Sequence, residues 1–186
     1  MTRIGIIIGS TRPNRIGPVV AQWVYDEAIK RDDAEFELLD VESFKLPLLD
    51  EPKPAASGEY THEHTRKWSE AIARCDGFIF VTPEYNHGMP AALKNALDYL
   101  WPEWNNKACG FVSYGSVGGS RSVEQFRQVA AQLLMADVRA QVMFTFGHEF
   151  DDDRNLKPTE ASYKSLAATI TQVLDWTNAL APLRAK

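Results

Sequence analysis

Cysteine is scarce in this chain: only Cys75 and Cys109 occur among 186 residues, far apart and each beside apolar neighbours. That excludes a disulfide framework and a zinc-ligand pattern, and it leaves two buried thiols as the expectation. A basic excess is also missing, because 20 Lys and Arg stand against 25 Asp and Glu for a net charge of −5. Broad electrostatic attraction to nucleic acid or to an anionic membrane is therefore not expected. No apolar run reaches the roughly 18 residues that span a bilayer, and the amino terminus enters a strand-like run without a basic leader or cleavage site. A cytoplasmic location is the expectation. Nothing divides the chain into repeats, low-complexity tracts or linkers, so residues 1–186 are read as one domain with a full core.

Glycine is sparse where a nucleotide loop would need it. Ile4 to Ile16 read IGIIIGSTRPNRI. A dinucleotide fingerprint needs G-x-G-x-x-G, but Thr11 stands two places after Gly9, and a P-loop needs a Gly-Lys-Ser/Thr that does not follow. What is present is a β-branched run, Ile4 and Ile6 to Ile8, as in a strand covered on both faces. After it come the hydrogen-bond donors Ser10, Thr11 and Asn14, the charges of Arg12 and Arg15, and a helix opening at Gly17-Pro18. The set suits a phosphomonoester, since free N–H groups and guanidinium forks both favour a dianion. Taken alone, the segment fits an ordinary strand-to-helix connection equally well.

Apolar strand-like runs recur at Arg3–Ile8, Glu35–Leu39, Gly77–Thr82, Ala108–Tyr114 and Arg139–Phe144, with helical periodicity between most of them. The alternation predicts a parallel sheet with helices on both faces. Helices are expected at Gly17–Lys30, at Thr61–Arg74, from Pro90 with proline at the first position, along Val123–Leu133, and at Thr159–Leu180, where Tyr163 should face inward. Two long irregular stretches remain, Val41–Tyr60 and Gly147–Pro158; loops of this length are often functional or mobile. The aspartates at 151–153 read as a solvated turn, since three consecutive carboxylates cannot all face one ion, and no metal is expected.

Ligands of an open α/β sheet sit beyond the carboxyl ends of its strands, so the loops after strands one, three and four belong together. The second is Thr82 to Pro90, TPEYNHGMP, with prolines at its ends, Gly88 to relax steric limits and Tyr85 as a flat surface. The third, Ser113 to Ser120, carries three glycines in five positions. A phosphate hook, a ring-edge loop and a glycine-lined wall describe a mononucleotide with a large aromatic head.

These three segments, GSTRPNRIG, TPEYNHGMPAALKNALDYL and SYGSVGG, resemble the flavin-contacting segments of the flavodoxin-like NAD(P)H-dependent FMN reductases. The resemblance implies a five-stranded parallel sheet in order 2-1-3-4-5, bound FMN, and a homodimer or homotetramer with the flavin near a subunit boundary. It implies that Ser10, Arg12, Asn14, Arg15 and Ile16 surround the FMN phosphate and the start of the ribityl chain. Pro83, Glu84, Tyr85, Asn86, His87 and Gly88 would border the isoalloxazine, with Ser113, Tyr114, Gly115, Gly118 and Gly119 along its other edge. No catalytic side chain is implied, because the flavin carries the chemistry. The co-substrate would be NADPH or NADH, with Arg15 and Arg121 as candidates for its phosphates, and a small-molecule acceptor would follow: flavin, quinone, azo compound, chromate or oxygen. A flavodoxin-type electron carrier and a flavin-free interaction domain are the competing classes. Trp101 and Trp104 are read as an interface anchor or as core.

Overall fold

The computed structural model describes residues 1–185. Five strands, β1 (Thr2–Ile8), β2 (Ala34–Asp40), β3 (Gly77–Pro83), β4 (Ala108–Gly115) and β5 (Ala136–Thr145), form one sheet in order β2-β1-β3-β4-β5. All four pairings are parallel. The helices are α1 (Gly17–Ala28), α2 (Glu63–Ala73), α3 (Ala91–Asp98), α4 (Ser120–Gln132) and α5 (Glu160–Arg184). Each crossover is long enough for a helix, as parallel neighbours require.

Side-chain alternation divides the core into two layers. Ile4, Ile6 and Ile8 of β1 meet Val20 and Val24 of α1 and Ile170 and Val173 of α5. Ile7 faces the opposite way, with Phe78 and Phe80 of β3, against Trp68, Leu97 and Phe126 of α2, α3 and α4. The central strands are buried on both faces, which is why they read as unbroken apolar runs. Both cysteines are free and buried.

Several boundaries differ from the expected ones. Pro90 precedes α3 as its N-cap, because its extended ψ of 137° keeps it outside the helix. α5 runs past Leu180 and Pro182 to Arg184, whose guanidinium donates to the carbonyls of Thr177 and Asn106 at 3.0 and 3.1 Å. Tyr163 is 42% exposed and lies at the rim of the Trp23 and Phe144 cluster instead of in the core. Trp104 is fully buried and belongs to the core, whereas Trp101 is only partly covered.

The stretch between β2 and α2 is ordered by side-chain ties. Asn95 of α3 accepts from the Leu49 amide at 2.9 Å and donates to the Pro47 carbonyl at 2.6 Å. The Tyr99 hydroxyl donates to Asp50 at 2.9 Å, and the Glu51 carboxylate accepts from the amides of Thr61 and His62 where α2 begins.

Candidate functional site

The carboxyl ends of the strands bring the three loops together. The first leaves β1 at Gly9, whose amide donates to the Val81 carbonyl of β3 at 2.9 Å. Ser10 is fully buried, and its hydroxyl lies 3.4 Å from that of Tyr114 on β4. Both hydroxyls pack against Gly17: a Cβ there would lie 2.7 Å from the Ser10 Oγ and 3.0 Å from the Tyr114 Oη. Glycine at the start of α1 therefore lets the helix end approach the loop floor. Burial pushes the Tyr114 phenol up to about 12, so it keeps its proton near neutrality. Tyr114 thus sits under the first loop.

The two arginines of the first loop do different things. Arg15 donates from its two terminal nitrogens to the two oxygens of Asp40 at 2.7 and 2.6 Å, and also bonds the Ser10 carbonyl. Its side chain is 15% exposed, and the hydrogen bonding with Asp40 raises its pKa further. This fork fixes the loop to the end of β2. Arg12 is exposed and has no acidic partner among the described residues. Asn14 sits at a φ of +56°, the left-handed conformation that asparagine tolerates.

The second loop is a two-residue hairpin. Tyr85 and Gly88 exchange backbone hydrogen bonds at 2.9 and 3.1 Å, and the central residues Asn86 and His87 have φ of +47° and +74°. Positive φ at both positions is the signature of a type I′ turn. The conformational demand falls on Asn86 and His87; Gly88 answers a packing demand, since a Cβ there would lie 2.5 Å from Gln125 of α4. Pro83 ends β3 in a buried position.

Glu84 joins the second loop to the third. Its carboxylate accepts from the Arg121 amide in the first turn of α4 at 3.1 Å and pairs with the Arg121 guanidinium. The side chain of Glu84 is only 6% exposed, that of Arg121 43%. The third loop closes on itself: Ser113 donates to the Gly118 carbonyl at 2.6 Å, and Gly118 donates to Gly115. Gly119 has a φ of +71°, and a Cβ there would lie 2.8 to 3.0 Å from Ser113 and the Tyr114 backbone. Only glycine fits without displacement.

All three loops hold backbone donors without a protein acceptor among the described residues: Thr11, Arg12 and Asn14 in the first, Asn86 and His87 in the second, Ser116 and Val117 in the third. Donors at one end suit a phosphate, and donors at the other suit the carbonyl and ring-nitrogen edge of a flavin. The residues present fit FMN.

A doubly wound parallel sheet of this order, with such loops at its carboxyl edge, defines a flavodoxin-like protein. The chain belongs to the NADPH-dependent FMN reductase family, whose sequence profile matches residues 2–149, and the family is one of oxidoreductases. It is 44% identical over 135 residues to an NAD(P)H-dependent FMN reductase of Schizosaccharomyces pombe, covering 72% of this chain and 68% of that one. It is 29% identical over 182 residues to a quinone reductase of Pseudomonas putida, covering 93% of each. Among solved structures, the NAD(P)H:acceptor oxidoreductase FerB of Paracoccus denitrificans shares the fold with a TM-score of 0.75 at 18% identity, over 96% of this chain and 98% of that one.

Sequence reasoning missed Asp40. Asp40 ends β2 at the same carboxyl edge, so extending the strand-end rule to β2 would have found it.

Proposed function

We propose that this protein is an FMN-containing, NAD(P)H-dependent oxidoreductase that reduces a small-molecule acceptor. FMN, when bound, would supply the redox chemistry that carries two electrons from NAD(P)H to a second substrate. The first loop binds the phosphate through Ser10, Arg12, Asn14 and the start of α1 at Ile16, while Arg15 holds that loop in shape through Asp40. Pro83 to Gly88 and Ser113 to Gly119 would hold the ring, and their free loop amides would donate to its electron-rich edge. No side chain is required as nucleophile or general base.

The observation that carries the reading is the set of acceptor-free amides shared among three loops at one sheet edge. The named relatives point to flavins and quinones as acceptors. A shared open ring face for both substrates makes a ping-pong order the expectation, and parallel steady-state lines are its signature. Anaerobic titration of the purified protein with NADPH, then NADH, should bleach the flavin absorbance. A yellow protein that neither nucleotide bleaches is an electron carrier instead, and a colourless protein that takes up no FMN is an interaction domain.

The same reading includes a homodimer or homotetramer in the cytoplasm. The assembly, not the location, is what an open groove of about 920 Å³ along α3 and α4 supports, where Met89, Trp101 and Val129 lie. Sedimentation as a monomer at every concentration would count against it.

A further inference from the structure

Between β5 and α5 the chain folds back over the first loop. The Phe146 amide donates to the Gly115 carbonyl at 3.1 Å, which fixes this segment to the third loop. Phe150 and Leu156 form a β-bridge, and Asp151 holds the turn between them by accepting from the Asn155 amide at 2.8 Å and from Lys157 at 3.2 Å. Under the segment lies a cavity of about 420 Å³, lined by Arg12, Ile16, Phe146, Phe150, Asp152 and Arg154.

The lining is chemically specific. Most cationic side chains of this protein face a carboxylate, yet Arg12 and Arg154 have no ion-pair or hydrogen-bond partner among the described residues, and neither has Asp152. Phe146 is 45% exposed, and with Phe150 it supplies an aromatic wall. The free guanidinium of Arg154, the free carboxylate of Asp152 and two rings packed edge to face suit a flat heteroaromatic group on a phosphorylated ribose. A carboxylate accepts from a ribose 2′-hydroxyl, whereas an arginine accommodates a 2′-phosphate. The volume lies at the low end of the roughly 300–1,000 Å³ of small-molecule sites, enough for part of a dinucleotide.

We infer that this cavity receives the adenosine half of the hydride donor, with Arg154 taking the 2′-phosphate of NADPH and Asp152 the 2′-hydroxyl of NADH, while Arg12 at its edge stays with the FMN phosphate. The inference rests on the proposed NAD(P)H-dependent activity and adds how one site serves both donors. Contact with the first loop through Arg12 and with the third through Phe146 puts the cavity beside the proposed flavin site.

Calorimetric titration with adenosine 2′,5′-bisphosphate and with 5′-AMP tests the cavity without any turnover. The FMN-loaded protein should bind the bisphosphate more tightly, and Arg154→Ala should weaken that binding about tenfold, as loss of one charge-assisted contact does. In steady state, Arg154→Ala should raise KM for NADPH with little change for NADH, and Asp152→Asn should raise KM for NADH and lower it for NADPH. FMN content should stay at the wild-type level in both variants. Equal binding of the two nucleotides to the wild type, equal effects on the two donors, or loss of FMN in Arg154→Ala overturns the inference; the last result would assign the cavity to FMN. Failure of the activity itself reads out differently, as flavin that neither donor bleaches in the wild type.

Discussion

Arg12 and Arg15 look interchangeable as neighbours in a sequence, yet their surroundings separate them. Arg15 makes a two-pronged bond to Asp40 in a partly buried setting. Replacing it with alanine leaves that carboxylate without its fork and should cost about 1–2 kcal/mol of stability, seen as a lower urea midpoint of the apoprotein. Arg12→Ala removes no internal contact, so stability should hold within about 0.5 kcal/mol. Its effect should instead appear as weaker FMN binding in a fluorescence titration. If the two variants lose stability alike, the division of labour fails. Residue types alone foretold two cations near a phosphate; which one Asp40 claims depends on a contact across 25 positions that no local pattern records.

At the scale of elements, chemistry at the ends of helices decides the boundaries. Thr159 caps α5 reciprocally with Ser162: each side chain accepts from the other's amide, at 3.3 and 3.2 Å. Thr159→Ala should therefore cost about 1 kcal/mol, measurable as a shifted thermal midpoint, with FMN affinity unchanged. That helix start was legible, because a capping threonine before a periodic apolar stripe is a local signal. The end was not. Pro182 lies inside the last turns, and Arg184 beyond it donates back to the Thr177 carbonyl of the same helix and across to the Asn106 carbonyl before β4. The strands were legible for a similar reason, as Ile4 to Ile8 and Phe78 to Val81 are apolar on both faces. The Asn86-His87 turn was not, since the left-handed backbone falls beside Gly88 and not on it.

For the whole molecule, the sheet separates a site edge from an edge devoted to stability. At the latter, Lys107 is buried, donates to the Ile72 carbonyl at the end of α2 at 2.8 Å, and lies 5.3 Å from the Phe78 ring centre. Burial lowers its pKa from 10.5 to about 8, while nearby Cys75 is pushed from 9.0 up to about 12, chiefly by burial. Between pH 8 and 10.5 the unfolded chain holds a lysine proton that the folded chain has released, so this contribution to stability rises with pH. Cys75 acts oppositely: above pH 9 the folded chain retains a proton that the unfolded chain has lost. Lys107→Met should remove the rising arm, on the order of 2–3 kcal/mol across that window, leaving a variant whose stability only falls above about pH 9. Urea unfolding at pH 7.5, 9 and 10.5 checks it, and identical pH profiles for the two proteins would refute it. At the other edge, the carboxylate of Glu84 already sits on the positive end of α4, whereas the first loop offers free amides and an unpaired Arg12. The rim is thus a one-way seat: free amides and an unpaired cation draw a full anion to one end, while at the other Glu84 already occupies the helix terminus and neutralises Arg121, so a long ligand with an anion at a single terminus has one direction in which to lie.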